Sequence, residues 1–473
     1  MDFGNFDYSP KISNLISQYE ATTQNGGSAF FEEESFLQLI DYYEQEGMYN
    51  RAFETLDHAI ECHRFSSSFY EKKANFLIDV KKENEALEVL NEAEILTPNC
   101  LSIQLLKVKA FSFLSMSSEA LAIIEELKQR TFSSKSLSEV YLAEAIIYER
   151  LEQYDFMFNA LQAALNIDNS NQAALEKMWF CTELSKKYEA SLVLHDELLV
   201  HNAYSSRAWY NLAHAHAYLG NYEDAIEAYE FAYLIDEDFE FAYRDRAEIC
   251  YELHYYKEAL ASYEEVLGLF EPDADLYLRA GQCHFHLGHI EKAKHNLTQA
   301  VFLEPVQEEE IFFYLGRCYA IEENHAEAIR FYQKAIDADA HREEFHLHLA
   351  FVYTAQKEYK LAISAFQMAT ETAPEDATYW FHYAKFLIQI GKTKKAWNVL
   401  QEAEIYTIST DVAHCRVACL LMLNQRDEAF KLFNETLEEE SRSYRFLFGL
   451  KPELKNDAII NAIVSFHEEV SGY

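Results

Sequence analysis

Two clusters in the sequence carry side chains that bind metals or act as nucleophiles in other settings. Cys283-His284-Phe285-His286-Leu287-Gly288-His289 gathers four such residues within one short segment. If the segment is helical, His284 and His286 point apart; His286 and His289 share a side but meet no matching carboxylate set. Cys415 and Cys419 are four apart and share a helix face, yet two thiolates do not close a tetrahedral site, so buried thiols are the expectation. Asp2-Phe3-Gly4 stands without the Gly-rich loop, strand lysine and catalytic loop that give this tripeptide meaning in kinases. Gly-x-Ser-x-Gly, phosphate-loop and His-Glu-x-x-His patterns do not occur. Asp and Glu are so abundant that no carboxylate pair stands out as an acid and base. The expectation is a protein with no catalytic residue, no bound metal and no cofactor, and not an enzyme.

The elements around these clusters follow from composition. Only 12 Gly and 6 Pro interrupt 473 residues, which favours many linked helices over many strands and turns. Hydrophobic residues make up 49 %, enough for a large core, and 32 Tyr with 34 Phe at helical spacing read as packing rings. The formal charge is −39, from 79 acidic and 40 basic side chains. Such a surface repels nucleic-acid phosphates and anionic membranes, so neither is an expected partner. The eight cysteines form no Cys-x-x-Cys pair and read as reduced thiols. The start, Met1-Asp2-Phe3-Gly4-Asn5, has no basic and apolar signal, and no stretch reaches the ~18 apolar residues of a membrane helix. These features predict a soluble, cytoplasmic protein.

Self-similarity dominates the sequence. Trp209-Tyr210-Asn211-Leu212-Ala213 is followed by His216, Ala225, Tyr229 and Ala232. The same spacing recurs in Phe312, Leu315-Gly316, Tyr319, Ala328, Tyr332 and Ala335, and again in Leu349-Ala350, Tyr353, Ala362, Phe366, Ala369 and Pro374. Unit starts fall near Glu33, Ser67, Leu101, Ser138, Asn171, Ser206, Glu240, Ala274, Glu309, Glu343, Ala377 and Thr410. Each unit predicts two short helices. Small residues such as Gly316 let the helices approach, and large ones such as Tyr332 fill the groove between them. A single pair is marginal in water, so the pairs must stack to bury a continuous core. The units near Leu101, Asn171 and Thr410 depart from the pattern, with Lys107-Val108, Lys177-Met178 and Arg416-Val417 where an apolar residue and a small one are expected. Pro98, Pro305 and Pro374 mark unit ends.

These residues resemble the tetratricopeptide repeat, with its Trp…Leu-Gly…Tyr…Ala…Phe…Ala…Pro pattern. The resemblance implies an all-α fold: an α-α superhelical solenoid of about twelve tetratricopeptide-like helix pairs, closed by capping helices at both ends. It further implies that first helices line a concave groove that binds peptide or protein segments. Read at the outward positions of repeats six to eleven, the candidate groove residues are Arg207, Tyr210, Asn211, His214, Tyr218, Arg244, Arg279, Gln282, Arg317, His348, His382 and Lys385. A cationic stripe inside an acidic shell would focus acidic segments or a terminal carboxylate, and unperturbed His would strengthen it below about pH 6.5. Asp275 and Glu248, four residues from Arg279 and Arg244 respectively, offer ordinary helix-surface pairing instead. The family's carboxylate clamp is not reproduced: Asn211 and Arg279 sit in compatible places, but Asp245 and Asp275 replace the partners. Asn75 and Asn211 are isolated and form no asparagine ladder.

The ends differ from the middle. Residues 1–32 form an acidic segment with a short helix after Ser9-Pro10, followed by a break at Asn25-Gly26-Gly27-Ser28. Residues 33–137 read as an N-terminal array, and the Ser-rich join Thr131–Ser138 as a bend before the main array, 138–443. Residues 444–473 read as a capping helix, with Ile459, Ile460, Ile463, Val464 and His467 on one face and Phe446-Leu447-Phe448-Gly449-Leu450 beneath it or free to dock. The expected function is a non-enzymatic interaction scaffold. The alternatives are a regulator whose array closes on a peptide or small-molecule signal, and a solenoid that self-associates through its caps.

Overall fold

The computed structural model describes residues 10–24, 30–303, 307–440 and 443–470. Asp2-Phe3-Gly4, Ser9, Asn25–Ser28 and Pro305 lie outside them. Among the described residues there are 27 α-helices, a short 3-10 helix and no strand. The chain divides into two compact units, Met1–Arg246 and Ala247–Tyr473.

Twelve helix pairs run in chain order, numbered here as repeats 1 to 12. In each, the second helix begins sixteen residues after the first position of the repeat, at Tyr49, Glu83, Ser117, Tyr154, Tyr188, Tyr222, Tyr256, Ile290, His325, Tyr359, Thr393 and Arg426. Eleven of the expected starts satisfy this spacing. The exception is repeat 5, which begins at Gln172 rather than Asn171. Asn171 is the cap instead: its Oδ1 accepts the Ala174 amide at 3.1 Å, satisfying a free helix-terminal N–H. The shift returns Met178 to an apolar position and buries it completely. The three ill-fitting cations are accommodated by carboxylates of the preceding repeat: Lys107 by Glu94, Lys177 by Glu149 and Arg416 by Glu404.

The turn between the two helices is the same in every repeat. Its fifteenth residue has positive φ twelve times, yet only Gly47, Gly220, Gly288 and Gly391 are glycines. Lys81, Ser115, Glu152, Lys186, His254, Glu323, Lys357 and Asn424 hold the left-handed conformation despite a Cβ. Five residues further on every repeat buries a side chain of its second helix. That position is alanine in ten repeats, from Ala52 to Ala429, and Met157 or Ser191 in the others, and every one is fully buried. At Gly316 an added Cβ would stand 2.7 Å from the ring of Tyr332, which shows how tightly that crossing is closed.

The join before repeat 4 is shorter than its serines suggest. Residues 134–137 are helical, because Ser133 caps the helix Ser134–Arg150 by accepting the Ser136 amide at 3.2 Å. Ser138 then lies buried inside it, donating to the Ala164 carbonyl at 2.9 Å and accepting from Asn171 at 2.8 Å. In the N-terminal unit, the helix Pro10–Gln24 covers repeat 1 through buried Tyr19, packed on Phe31 and Phe36. In the C-terminal unit, Leu447 is buried on the first helix of repeat 12, while Ile460 and His467 seat the helix Ala458–Val470 on the second. His467 Nε2 lies 3.0 Å from Asn434 Oδ1, and Tyr444 donates to Glu468 at 2.8 Å.

Candidate functional site

First helices carry their sixth and ninth residues away from the second helices, and the predicted cations are spread over these and nearby positions. In the N-terminal unit most of the predicted residues are built into the structure. Tyr210 is 7 % exposed and donates to Asp245 at 2.6 Å. Asn211 is 2 % exposed and donates to the Leu175 carbonyl of repeat 5 at 2.9 Å. His214 is buried between Trp179 and Tyr218, and burial pushes its pKa down to about 4. Tyr218 stacks on Tyr188 at 4.9 Å. Arg207 pairs with Glu176 at 2.9 Å, and Arg244 with Glu240 at 2.7 Å.

In the C-terminal unit, Arg279 pairs with Glu248 of the preceding repeat at 3.0 Å and with Asp275 at 3.8 Å. Gln282 is fully buried and donates to Glu310 at 3.0 Å. Arg317 differs. It has no carboxylate within ion-pair distance among the described residues, and its guanidinium lies 4.4 Å from the Phe285 ring centre, 5.2 Å from Tyr314 and 5.4 Å from Phe313. Lys385 is likewise without an acidic partner among the described residues and sits 5.5 Å over Phe381. His348 lies 3.7 Å from Glu344 and 5.1 Å from the Phe313 ring. His382 packs on Phe351 at 5.1 Å; burial, then the charge of Lys385, hold its pKa below the ordinary imidazole value. The expected gain in groove charge near pH 6.5 therefore does not extend to His214 or His382, whose neutral forms are favoured by desolvation.

The structure thus joins Arg317, His348, His382 and Lys385 through rings that sequence reasoning did not single out. Phe285 meets Tyr314 at 5.4 Å, Phe313 meets His348, and Phe351 bridges His348 at 5.9 Å and His382 at 5.1 Å. These contacts form one ladder across the first helices of repeats 8 to 11. Tyr314 and Phe351 occupy the sixth and ninth positions, so the positional rule that selected Arg317 and His348 also contains them. A further surface lies in the N-terminal unit, where first helices of repeats 2 to 4 border a cavity of about 800 Å³. Its signal in the sequence is faint: small and aliphatic residues where other repeats carry rings and charges.

The Cys283–His289 cluster holds no ligand arrangement. His284 is buried, and His286 stacks on Tyr256 at 4.3 Å. Among the described residues no group of three His, Cys, Asp or Glu converges as a metal site. Among the described residues no disulfide links the cysteines, and Cys415 and Cys419 are fully buried, their thiol pKa values raised by burial, that of Cys419 to about 12. No helix among the described residues is long and apolar enough to cross a membrane.

Helix pairs of constant spacing, a shared left-handed turn and small residues at each crossing define a class: the α-helical repeat solenoid. Tetratricopeptide-repeat family models match residues 206–239, 287–343 and 319–381. These segments of the chain match tetratricopeptide repeats, and proteins built from this repeat are generally interaction scaffolds. It is similar to the TPR repeat-containing protein YpiA of Bacillus subtilis (strain 168), with 23 % identity over 347 residues, 71 % of this chain and 78 % of the relative. Among solved structures, yeast Tom70 aligns at 16 % identity over 91 % of this chain and 98 % of its own, with a TM-score of 0.40. The Cut9-Hcn1 hetero-tetramer of the APC/C aligns at 14 % identity over 87 % of this chain and 93 % of the solved chain, with a TM-score of 0.39.

Proposed function

We propose that this protein is a non-enzymatic scaffold that binds an acidic protein segment on the first-helix face of repeats 8 to 11. The observation that carries this reading is the state of Arg317 and Lys385. In a chain with 79 acidic and 40 basic residues, many cations find a carboxylate, among them the predicted groove residues Arg207, Arg244 and Arg279. Arg317 and Lys385 rest instead on aromatic faces, with no carboxylate within ion-pair distance among the described residues. Ring faces leave the N–H donors of a guanidinium available at its edge, and a carboxylate or terminal carboxyl takes them in forked geometry. The ladder of Phe313, His348, Phe351 and His382 supplies contact area between the two cations at low cost in side-chain freedom. Gln282 supports this role from within, as a fixed hydrogen-bonding group.

The test compares pull-downs by the wild-type chain and by an Arg317→Glu, Lys385→Glu double variant, at low and moderate salt. Both side chains are outside the core, so the variant should fold, which circular dichroism checks. Loss of an acidic partner by the variant, and weakening of the wild-type complex with salt, are expected. Equal retention of every partner by both proteins would remove this face as the binding site.

A further inference from the structure

The second helices of repeats 5 and 6, Tyr188–His201 and Tyr222–Ile235, turn apolar side chains to solvent. On the first, Ser191, Leu194 and Leu198 are buried, and the opposite side carries Val193, Asp196, Glu197 and Val200 at helical spacing. On the second, Ala225, Tyr229 and Ala232 are buried, while Glu227, Phe231 and Leu234 face outward. These outward places are the twenty-second, twenty-sixth and twenty-ninth of each repeat. Repeats 5 and 6 put two large apolar residues there, Val193 with Val200 and Phe231 with Leu234, and no other repeat puts more than one. Trp209 joins the two helices: its indole donates to the Ala203 carbonyl at 2.9 Å, just beyond the first, and its ring packs on Phe231 at 4.7 Å. Tyr204 stands beside that contact, its amide bonded to Asn202 Oδ1 at 3.2 Å, and is 83 % exposed, as is Val200. Together Val193, Val200, Tyr204, Phe231 and Leu234 expose on the order of 600 Å², near one partner's share of a standard interface.

The charge around these side chains has one sign. Residues 188–243 hold eleven acidic side chains, one Arg and no Lys. That one, Arg207, pairs with Glu176 at 2.9 Å, and the next two cations, Arg244 and Arg246, pair with Glu240 at 2.7 Å and Glu230 at 3.3 Å. Asp196 and Glu197 lie between the two valines, and Asp236, Glu237 and Asp238 follow Leu234. None of these five has a cation within ion-pair distance among the described residues.

We infer that this second-helix face docks an amphipathic helix of a partner protein whose apolar side chains are flanked by Lys and Arg. The apolar side chains cover Val193, Val200 and Leu234, and the cations meet Asp196, Glu197 and the acidic run after Leu234. Val193 and Val200 lie ~10 Å apart by helical rise, which matches apolar residues seven apart on a partner helix. A second copy of the chain does not suit the face, because two such faces would bring these carboxylates together, and an anionic lipid surface is repelled for the same reason. The face lies on second helices and shares no residue with the Arg317–Lys385 face.

Three labelled peptides probe the full chain by fluorescence anisotropy at about 0.15 M salt. Each is two heptads long: Lys-Leu-Leu-Lys-Lys-Leu-Ala, the same with Ser for Leu, or the same with Glu for Lys. The Lys-Leu peptide should bind about tenfold more tightly than either of the others. Val200→Ser with Leu234→Ser, both at exposed sites, should weaken it about tenfold with circular dichroism unchanged. Ile95→Ser with Phe302→Ser, exposed at the same position of repeats 2 and 8, should leave its affinity unchanged. Arg317→Glu with Lys385→Glu should not weaken it, which separates this site from the other face. Equal binding of the Lys-Ser peptide, no binding at all, or an affinity untouched by Val200→Ser with Leu234→Ser would overturn the inference. So would a wild-type dimer in sedimentation, or attachment to phosphatidylcholine vesicles, that this double variant abolishes, since the face would then belong to a second copy or to lipid.

Discussion

Repeats 2 to 4 and repeats 8 to 11 share one backbone plan and fill it in opposite ways. At the sixth and ninth positions the first group carries Lys72 and Asn75, Leu106 and Lys109, Ala143 and Ile146. The second carries Arg279 and Gln282, Tyr314 and Arg317, His348 and Phe351, His382 and Lys385. In repeat 4 the aliphatic Ala143 and Ile146 leave a cavity, whereas in repeats 8 to 11 rings and cations close into a ladder. The repeat fixes where side chains emerge, and side-chain volume alone decides between a pocket and a flat, charged face.

The largest expected effect that would sharpen this contrast is acid sensitivity. Burial holds His195 and His214 in the N-terminal unit, and His414 in the C-terminal unit, at pKa values of about 4. Burial also lowers His284, His286, His346 and His382 in the C-terminal unit. The unfolded chain takes up these protons below about pH 6.5 while the folded one does not, so stability falls as pH drops from 6.5 toward 4. With five such histidines against two, the C-terminal unit should show the steeper loss between pH 6.5 and 5. Trp179 and Trp209 report on one unit and Trp380 and Trp397 on the other, so urea titrations of paired Trp→Phe variants can read each separately. Equal slopes would break this part of the comparison.

Next comes packing at the eighth position. Gly316→Ala places a methyl against the buried Tyr332 ring and should cost about 1–3 kcal/mol in urea unfolding. Val108→Ala, at the same position of repeat 3, removes volume beside the groove and should cost about 2 kcal/mol for the opposite reason. A neutral Gly316→Ala would mean that the crossing in repeat 9 is no tighter than its counterpart. The smallest effect concerns the shared turn. Glu152→Gly in one unit and Glu323→Gly in the other should each stabilise by up to about 1 kcal/mol, by relieving positive φ. A gain in one unit alone would show that the turns are not equivalent.

The helix pairs and their spacing were legible because every determinant is local. A small residue at the crossing, a large one four residues on and the sixteen-residue step to the second helix repeat with the chain. The single slip, at Asn171, arose where Asn serves equally as a helix residue and as a cap, and only its bond to the Ala174 amide separates the two. The Ser-rich stretch before repeat 4 misled for a related reason: serine favours caps and turns, yet one of these serines caps a helix that contains the others. The binding face was legible only as a set of positions. Tyr210, Asn211 and Gln282 stand at outward places by count but are covered by neighbouring repeats.

What the sequence determined by itself is therefore the repeat, its two helices, the caps and the sign of the surface, since each depends on residues within a few turns of one another. Which cations are spent on internal pairs, and which stay open, was decided by the tertiary structure. Arg279 reaches Glu248 and Tyr210 reaches Asp245 across 31 and 35 residues of chain, while Arg317 lies over the Phe285 ring with no carboxylate within ion-pair distance among the described residues. Such choices turn on distances of a few ångströms between stacked helices, and charge attraction at contact is lost within one turn of misplacement.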